Sequence, residues 1–157
     1  MASAALRLFR RFGGSAPGRW LYARLIRWRS PYFASIAPRI DVLEPGRCVV
    51  RIRHRRAVQN HIGTVHAIAL CNMAELAAGL ATDATLPDSM RWIPKGMTVR
   101  YVRKANGTMT ATARVAAPAS SRYGVDLHVP VEVRDEAGDL VCDLDITMWV
   151  TERKPAG

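Results

Sequence analysis

The sequence predicts an α+β domain in which one long, buried helix packs against an antiparallel sheet. Three observations predict it. Residues 64–81 carry Ala67, Leu70, Ala74, Ala77 and Ala81 at helical spacing, in an Ala-rich stretch with no proline and no glycine between Ala67 and Gly79. After Pro87 the apolar residues alternate instead: Val125, Leu127, Val129, Val131 and Val133, then Leu140, Cys142, Leu144, Ile146, Met148 and Val150. That alternation gives strands one apolar and one mostly polar face. Finally, 157 residues suit one domain, which buries roughly two-thirds of its extended-chain surface.

The elements follow in order. Residues 1–12 are Arg-rich and acid-free, as in an organelle-targeting segment, and Gly13, Gly14, Ser15, Pro17 and Gly18 break the chain. Arg19 to Arg29 reads as an amphipathic helix, with Leu21, Leu25 and Trp28 as the stripe that docks on the domain or lies on a membrane surface. Residues 1–39 thus form a basic helical extension, and residues 40–157 the domain proper. Ile40 to Leu43 and Arg47 to Val58 flank Glu44-Pro45-Gly46 as a hairpin. In the second strand Cys48, Val50, Ile52, His54, Arg56 and Val58 share one face, and Arg51, Arg53 and Arg55 the other. Thr64 is the expected N-cap of the long helix. Met97 to Lys104 and Thr108 to Val115 flank Ala105-Asn106-Gly107, whose Asn-Gly pair signals a second hairpin.

Charge is unevenly distributed. Residues 1–58 hold 13 arginines against Asp41 and Glu44, a net of +11, and the remainder of the chain is close to neutral. Such a segment is either solvated or faces an anionic partner. Its aromatics (Phe9, Phe12, Trp20, Tyr22 and Trp28) cluster on the helix, which favours a weak peripheral membrane contact; no nucleic acid partner is expected. Half of the chain is apolar, which excludes disorder, and no apolar run approaches the roughly 20 residues of a membrane span. Cys48, Cys71 and Cys142 are odd in number and widely spaced, as expected of reduced thiols in the cytoplasm.

The chemistry concentrates where the long helix begins. The run Asn60-His61-Ile62-Gly63-Thr64-Val65-His66-Ala67 precedes it, and Glu75 lies within it, where a carboxylate is costly unless solvated or paired. At about 100° per residue, His66 and Glu75 point to opposite sides of one helix. A single chain cannot aim both at one substrate, whereas a dimer can. His54, His61 and His128 lack metal-ligand spacing, so no metal is expected, and no Gly-x-Gly-x-x-Gly, Walker or Gly-x-Ser-x-Gly motif occurs.

Asn60-x-x-Gly63-Thr64-x-His66, followed by an acid nine residues later in an Ala-rich helix, resembles the hotdog-fold acyl-CoA thioesterases of the phenylacetate-pathway type. The stretch Met97 to Val115 is similar to the strand region that follows the hotdog helix, and residues 40–151 fit the β-β-α-β-β-β-β order. More narrowly, the chain resembles the DUF4442 branch of that superfamily. The resemblance implies Glu75 as nucleophile or general base, Asn60 as the residue orienting water or thioester, and the Ala67 N–H as oxyanion donor. His66 would shape that turn. Arg100, Arg103 and Lys104 match the position where hotdog enzymes meet coenzyme A phosphates; coenzyme A would be part of the substrate, with no separate cofactor. The partners implied are an acyl-CoA or other acyl thioester and a second copy of the chain, as dimer or tetramer. Met73, Leu76, Leu80 and Trp92 are candidates for lining the acyl tunnel at the dimer interface. Two departures stand out: Ala67-Ile68 replaces the family's Gly-Gly, and Arg91 to Lys95 offers no hydroxyl to support the acid. They leave room for an alternative, a non-catalytic hotdog module that binds acyl-CoA, acyl-carrier protein or fatty acid.

Overall fold

The computed structural model describes residues 3–118 and 124–153. Helices α1 (Ala4–Phe12) and α2 (Ala16–Arg29) lead into strands β1 (Arg39–Glu44) and β2 (Arg47–Ile52). The long helix α3 (Ala67–Thr85) follows, then β3 (Met90–Tyr101), β4 (Met109–Arg114), β5 (Val125–Arg134) and β6 (Leu140–Glu152). The six strands form one antiparallel sheet in the order β1-β2-β4-β5-β6-β3. The sheet lays its apolar face on α3, as the alternation predicts. Val129, Val131 and Val133 from β5 and Leu144, Ile146, Met148 and Val150 from β6 are buried in the same core as Leu70, Met73, Ala74 and Ala77 of α3. Small alanine side chains let the strands approach the helix closely.

The basic extension is folded, not trailing. The expected targeting-like segment forms α1, capped by Ser3, whose Oγ accepts from the Leu6 N–H at 3.2 Å. Leu6 and Phe9 enter the core, and Phe9 meets Tyr22 of α2 edge to face with ring centroids 5.1 Å apart. Ser15 caps α2, and Pro17 sits in its first turn where the missing N–H costs nothing. The docking face of α2 differs from the expected one. Tyr22 and Ala23 are buried and Ile26 packs against the core, whereas Leu21 and Trp28 of the expected stripe stay exposed. Spacing alone could not choose between them, because α2 carries apolar side chains on both faces.

Four further expectations are corrected. β2 ends at Ile52, since His54 and Arg55 turn away to tie loops: Arg55 donates to the Ser35 carbonyl at 2.7 Å, and His54 Nδ1 accepts from the Gly107 N–H at 3.2 Å. β3 begins at Met90, seven residues before Met97, and accommodates Pro94 by a register shift between Pro94 and Gly96. Proline is tolerated there because β3 lies at the edge of the sheet. Asn106-Gly107 is not a hairpin turn. β3 pairs with β6 and β4 with β2 and β5, so this loop carries the chain across the sheet, held by the Val65 N–H on the Ala105 carbonyl and by His54. The positive φ of Gly107, +78°, serves that crossover. The N-cap of α3 is His66, not Thr64.

Candidate active site

The start of α3 is built by an Asn-centred turn. Asn60 Oδ1 accepts from the N–H groups of Ile62 and Thr64, both at 3.1 Å, while its Nδ2 donates to Thr64 Oγ1 at 2.8 Å. Asn60 is therefore anchored first by its own loop, which gives an Asx-type turn its shape. The loop delivers His66, whose Nδ1 accepts from the Ile68 N–H at 3.0 Å. That bond requires the ring proton on Nε2 and leaves Nδ1 occupied. The Ala69 and Leu70 N–H groups return to the His66 carbonyl at 2.9 and 3.2 Å. Of the first four helical N–H groups, that of Ala67 alone has no acceptor among the described residues. It lies at the positive end of the helix dipole, where developing negative charge is stabilised. Ile68, 56% exposed, flanks the approach to it.

Glu75 lies eight residues on, about 12 Å along the helix axis at 1.5 Å per residue. It is half-buried, and its carboxylate has no hydrogen bond or ion pair among the described residues. It faces a groove of about 740 Å³ between α3, β3 and the basic extension. Leu8, Leu25, Phe33, Leu76, Leu80 and Trp92 are among its apolar lining, and Arg29, Ser30 and Asp83 are its other polar residues. Leu76, Leu80 and Trp92 were expected to line such a tunnel. Met73 was too, but it is fully buried in the core and absent from the lining. Leu25 belongs to the stripe expected to dock on the domain or lie on a membrane, whereas nothing in the spacing of residues 1–39 marks Leu8 and Phe33 as folding over α3. Asn72, one turn before Leu76, ties it down by donating to Ser35 Oγ at 3.1 Å.

The candidate phosphate-binding cations lie elsewhere. Arg100 makes a bidentate contact with Asp143, as close as 2.6 Å, and the carboxylate holds the guanidinium pKa above its ordinary value. Arg103 pairs with Asp139, and Lys104 is exposed with no partner among the described residues. Exposed pairs of this kind exchange at little cost, so two carboxylates compete with a phosphate here without excluding it. Among the described residues, no three His, Cys, Asp or Glu side chains converge as a metal site would need.

Within one chain the structure thus groups Asn60, His66 and Ala67 at the helix start and leaves Glu75 apart. Comparison with known proteins gives this arrangement its context. The family model described as "Domain of unknown function (DUF4442)" matches residues 18–150. The chain belongs to the DUF4442 family. A structural-genomics crystal structure designated APC5556 shares 42% identity with this DUF4442 protein, at a TM-score of 0.83, covering 95% of this chain and 99% of that one. A Pseudomonas aeruginosa protein of unknown function, described as a "Probable Thioesterase", is 26% identical with a TM-score of 0.76, over 85% of this chain and 95% of that one. A thioesterase family protein from Silicibacter pomeroyi has the same fold at 19% identity and a TM-score of 0.71, over 83% and 96%. The DUF4442 chain matches no curated protein. Its fold is the hotdog fold, the sheet wrapped about α3.

Proposed function

We propose that this DUF4442 protein hydrolyses an acyl thioester such as an acyl-CoA, in a site completed by a second copy of the chain. The observation that carries the reading is Glu75, an unpaired carboxylate held in a mostly apolar groove whose other polar residues are Arg29, Ser30 and Asp83. Its groove suits an acyl chain, and its position suits attack on the carbonyl at the end of that chain. Glu75 activates a water, or attacks directly, and the carbonyl C–O electrons move onto oxygen. The Ala67 N–H of the facing protomer stabilises that oxyanion. Collapse expels the coenzyme A thiolate, which takes up a proton. The water route leaves the carboxylic acid directly, and direct attack leaves an anhydride on Glu75 that a water then hydrolyses to the acid and free Glu75. The 12 Å or so between Ala67 and Glu75 on one helix is why the two groups would come from different protomers.

The test is release of free coenzyme A from short, aromatic and long acyl-CoAs, with wild type and Glu75→Gln side by side. Turnover by the wild type that drops on the order of 10²–10⁴-fold in the variant is the expected result. Unchanged turnover in Glu75→Gln would sink the mechanism.

A specific pair of observations favours the second reading, an acyl-binding module without turnover. Asn60 already spends both Oδ1 lone pairs on its own loop, and Ile68 stands exposed beside the Ala67 N–H. Calorimetric binding of an acyl-CoA with no release of coenzyme A would select it.

A further inference from the structure

Apart from Trp28 at the rim of the groove, the outward face of α2 takes no part in the site just described, and its composition is unusual for a solvated helix. At about 100° per residue, Arg27, Trp20, Arg24, Trp28 and Leu21 fall within a sector of about 120°, opposite the core-facing Tyr22. Trp20 is 59% exposed, Trp28 82% and Leu21 38%; Tyr32, just beyond the helix, is 71% exposed. Arg24 stacks over the Trp20 ring at 5.0 Å from its centroid. Solvated helices rarely hold two tryptophans outward, because each exposes a large apolar area that water penalises.

The charges that the extension itself carries are all of one sign. The first 40 residues contain eight arginines and no acid. Arg10, Arg11, Arg24, Arg27 and Arg29 have no carboxylate partner among the described residues. The first acid of the chain, Asp41, is already engaged by Arg39 and Arg51 at 2.6 and 3.0 Å. Among the described residues, no carboxylate pairs with the arginines of α2; Glu75 and Asp83 share the groove with Arg29 without contacting it.

We infer that the outer face of α2 docks on an anionic bilayer surface. Indole rings suit the headgroup region, where one edge meets water and the body meets acyl chains, and arginines beside them meet lipid phosphates. No helix of the described residues is long and apolar enough to cross a membrane, so this contact lies on the surface. Trp28 and Leu25, at the margin of the face, also line the Glu75 groove. Docking would therefore hold that groove beside the lipid, although the inference stands independently of whether Glu75 is catalytic.

The test is co-sedimentation of the full chain with phosphatidylcholine vesicles, with and without phosphatidylglycerol, across a salt series. Binding to the anionic vesicles alone, weakened by salt and accompanied by a blue shift of tryptophan emission, is expected. Arg24→Gln with Arg27→Gln should lower partitioning on the order of 30-fold, at about five-fold per arginine. Trp20→Ala, distant from the groove lining, should weaken binding at unchanged net charge and without shifting the thermal melt. The inference is overturned by equal binding to both vesicle types, by no binding to either, or by binding indifferent to Trp20→Ala. It is equally overturned if Trp20→Ala alters the oligomeric state and not partitioning, which would make the face an interface between copies. Arginine-dependent binding to duplex DNA or RNA that leaves vesicles unbound would assign the face to nucleic acid instead.

Discussion

A Cβ placed on Gly79 would lie 2.8 Å from Cη2 of Trp92, so the indole of β3 occupies the space that a side chain at residue 79 would need. The glycine is thus paired with the tryptophan, and together they shape the groove floor one turn beyond Glu75. Glycine inside a helix costs about 1 kcal/mol relative to alanine. Gly79→Ala should therefore stabilise the helix when Trp92 has been cut to alanine. With Trp92 intact the new methyl displaces the ring, and this gain should be lost or reversed. A double-mutant cycle by urea unfolding measures the coupling, expected at about 1 kcal/mol or more. Additivity of the two substitutions would show that the ring moves away at no cost.

His66 offers a second, local test. Its Nδ1 caps α3 in place of the serine, threonine or aspartate usual at that position. His66→Ala should cost about 1 kcal/mol of stability, and His66→Asp, which restores an acceptor at the cap, should recover most of it. Equal losses in both variants would mean that the imidazole contributes through packing and not through the cap.

The outline of this fold was legible because its strongest signals are periodic. The change from helical spacing at Ala67 to Ala81 to alternation after Pro87 is enough to place a long helix against antiparallel strands. Pairing was not legible. Asn106-Gly107 has the chemistry of a hairpin turn, yet which strands pair is decided by contacts distant in sequence, and β3 reaches β6 at the far edge. The face of α2 was misread for a similar reason. Leu21, Leu25 and Trp28 are as apolar as Tyr22, Ala23 and Ile26, and only the shape of the core selects the second set. In the site, Asn60, His66, Ala67 and Glu75 stood out as polar or cap-forming positions around an apolar helix. The roof over Glu75 did not, since Leu8 and Phe33 meet α3 only through the tertiary fold.

The buried thiols predict how stability responds to alkali. Burial pushes the Cys142 thiol up to about 12, and burial pushes Cys48 well above the ordinary range. In the unfolded chain both ionise near pH 8.5 or so. Raised native values mean that the unfolded state loses protons first, so their contribution is fully present below about pH 8.5 and declines as pH rises toward the native values. Each thiol then adds a slope of about 1.4 kcal/mol per pH unit. Urea midpoints should fall between about pH 9 and 11, less steeply in Cys142→Ala. Native protein should also react slowly with maleimide at Cys48 and Cys142, and all three thiols should label after unfolding. A flat stability profile across that range would contradict the burial of these groups.

The separation of Glu75 from the helix start yields the sharpest prediction about assembly. Asn60→Asp keeps acceptors for the Ile62 and Thr64 N–H groups while removing the Nδ2 donor, so the loop should survive the change. If Asn60 orients substrate through that amide, this variant and Glu75→Gln should each be inactive alone. Each dimer site would take Glu75 from one protomer and Asn60 from the other. Unfolding and refolding the two variants together in equal amounts would then create mixed dimers in which one site holds both native residues and the other holds neither. Random pairing places half of the chains in mixed dimers, so about a quarter of wild-type turnover should return. The check is coenzyme A release by the mixture against each variant refolded alone. Recovery requires that the catalytic groups come from different chains, because mixing cannot repair a site built within one. No recovery at any mixing ratio would place Asn60 and Glu75 in the same protomer's site. Full activity of Asn60→Asp by itself would reduce Asn60 to a residue that shapes the turn, leaving the Ala67 N–H and Glu75 to carry the chemistry.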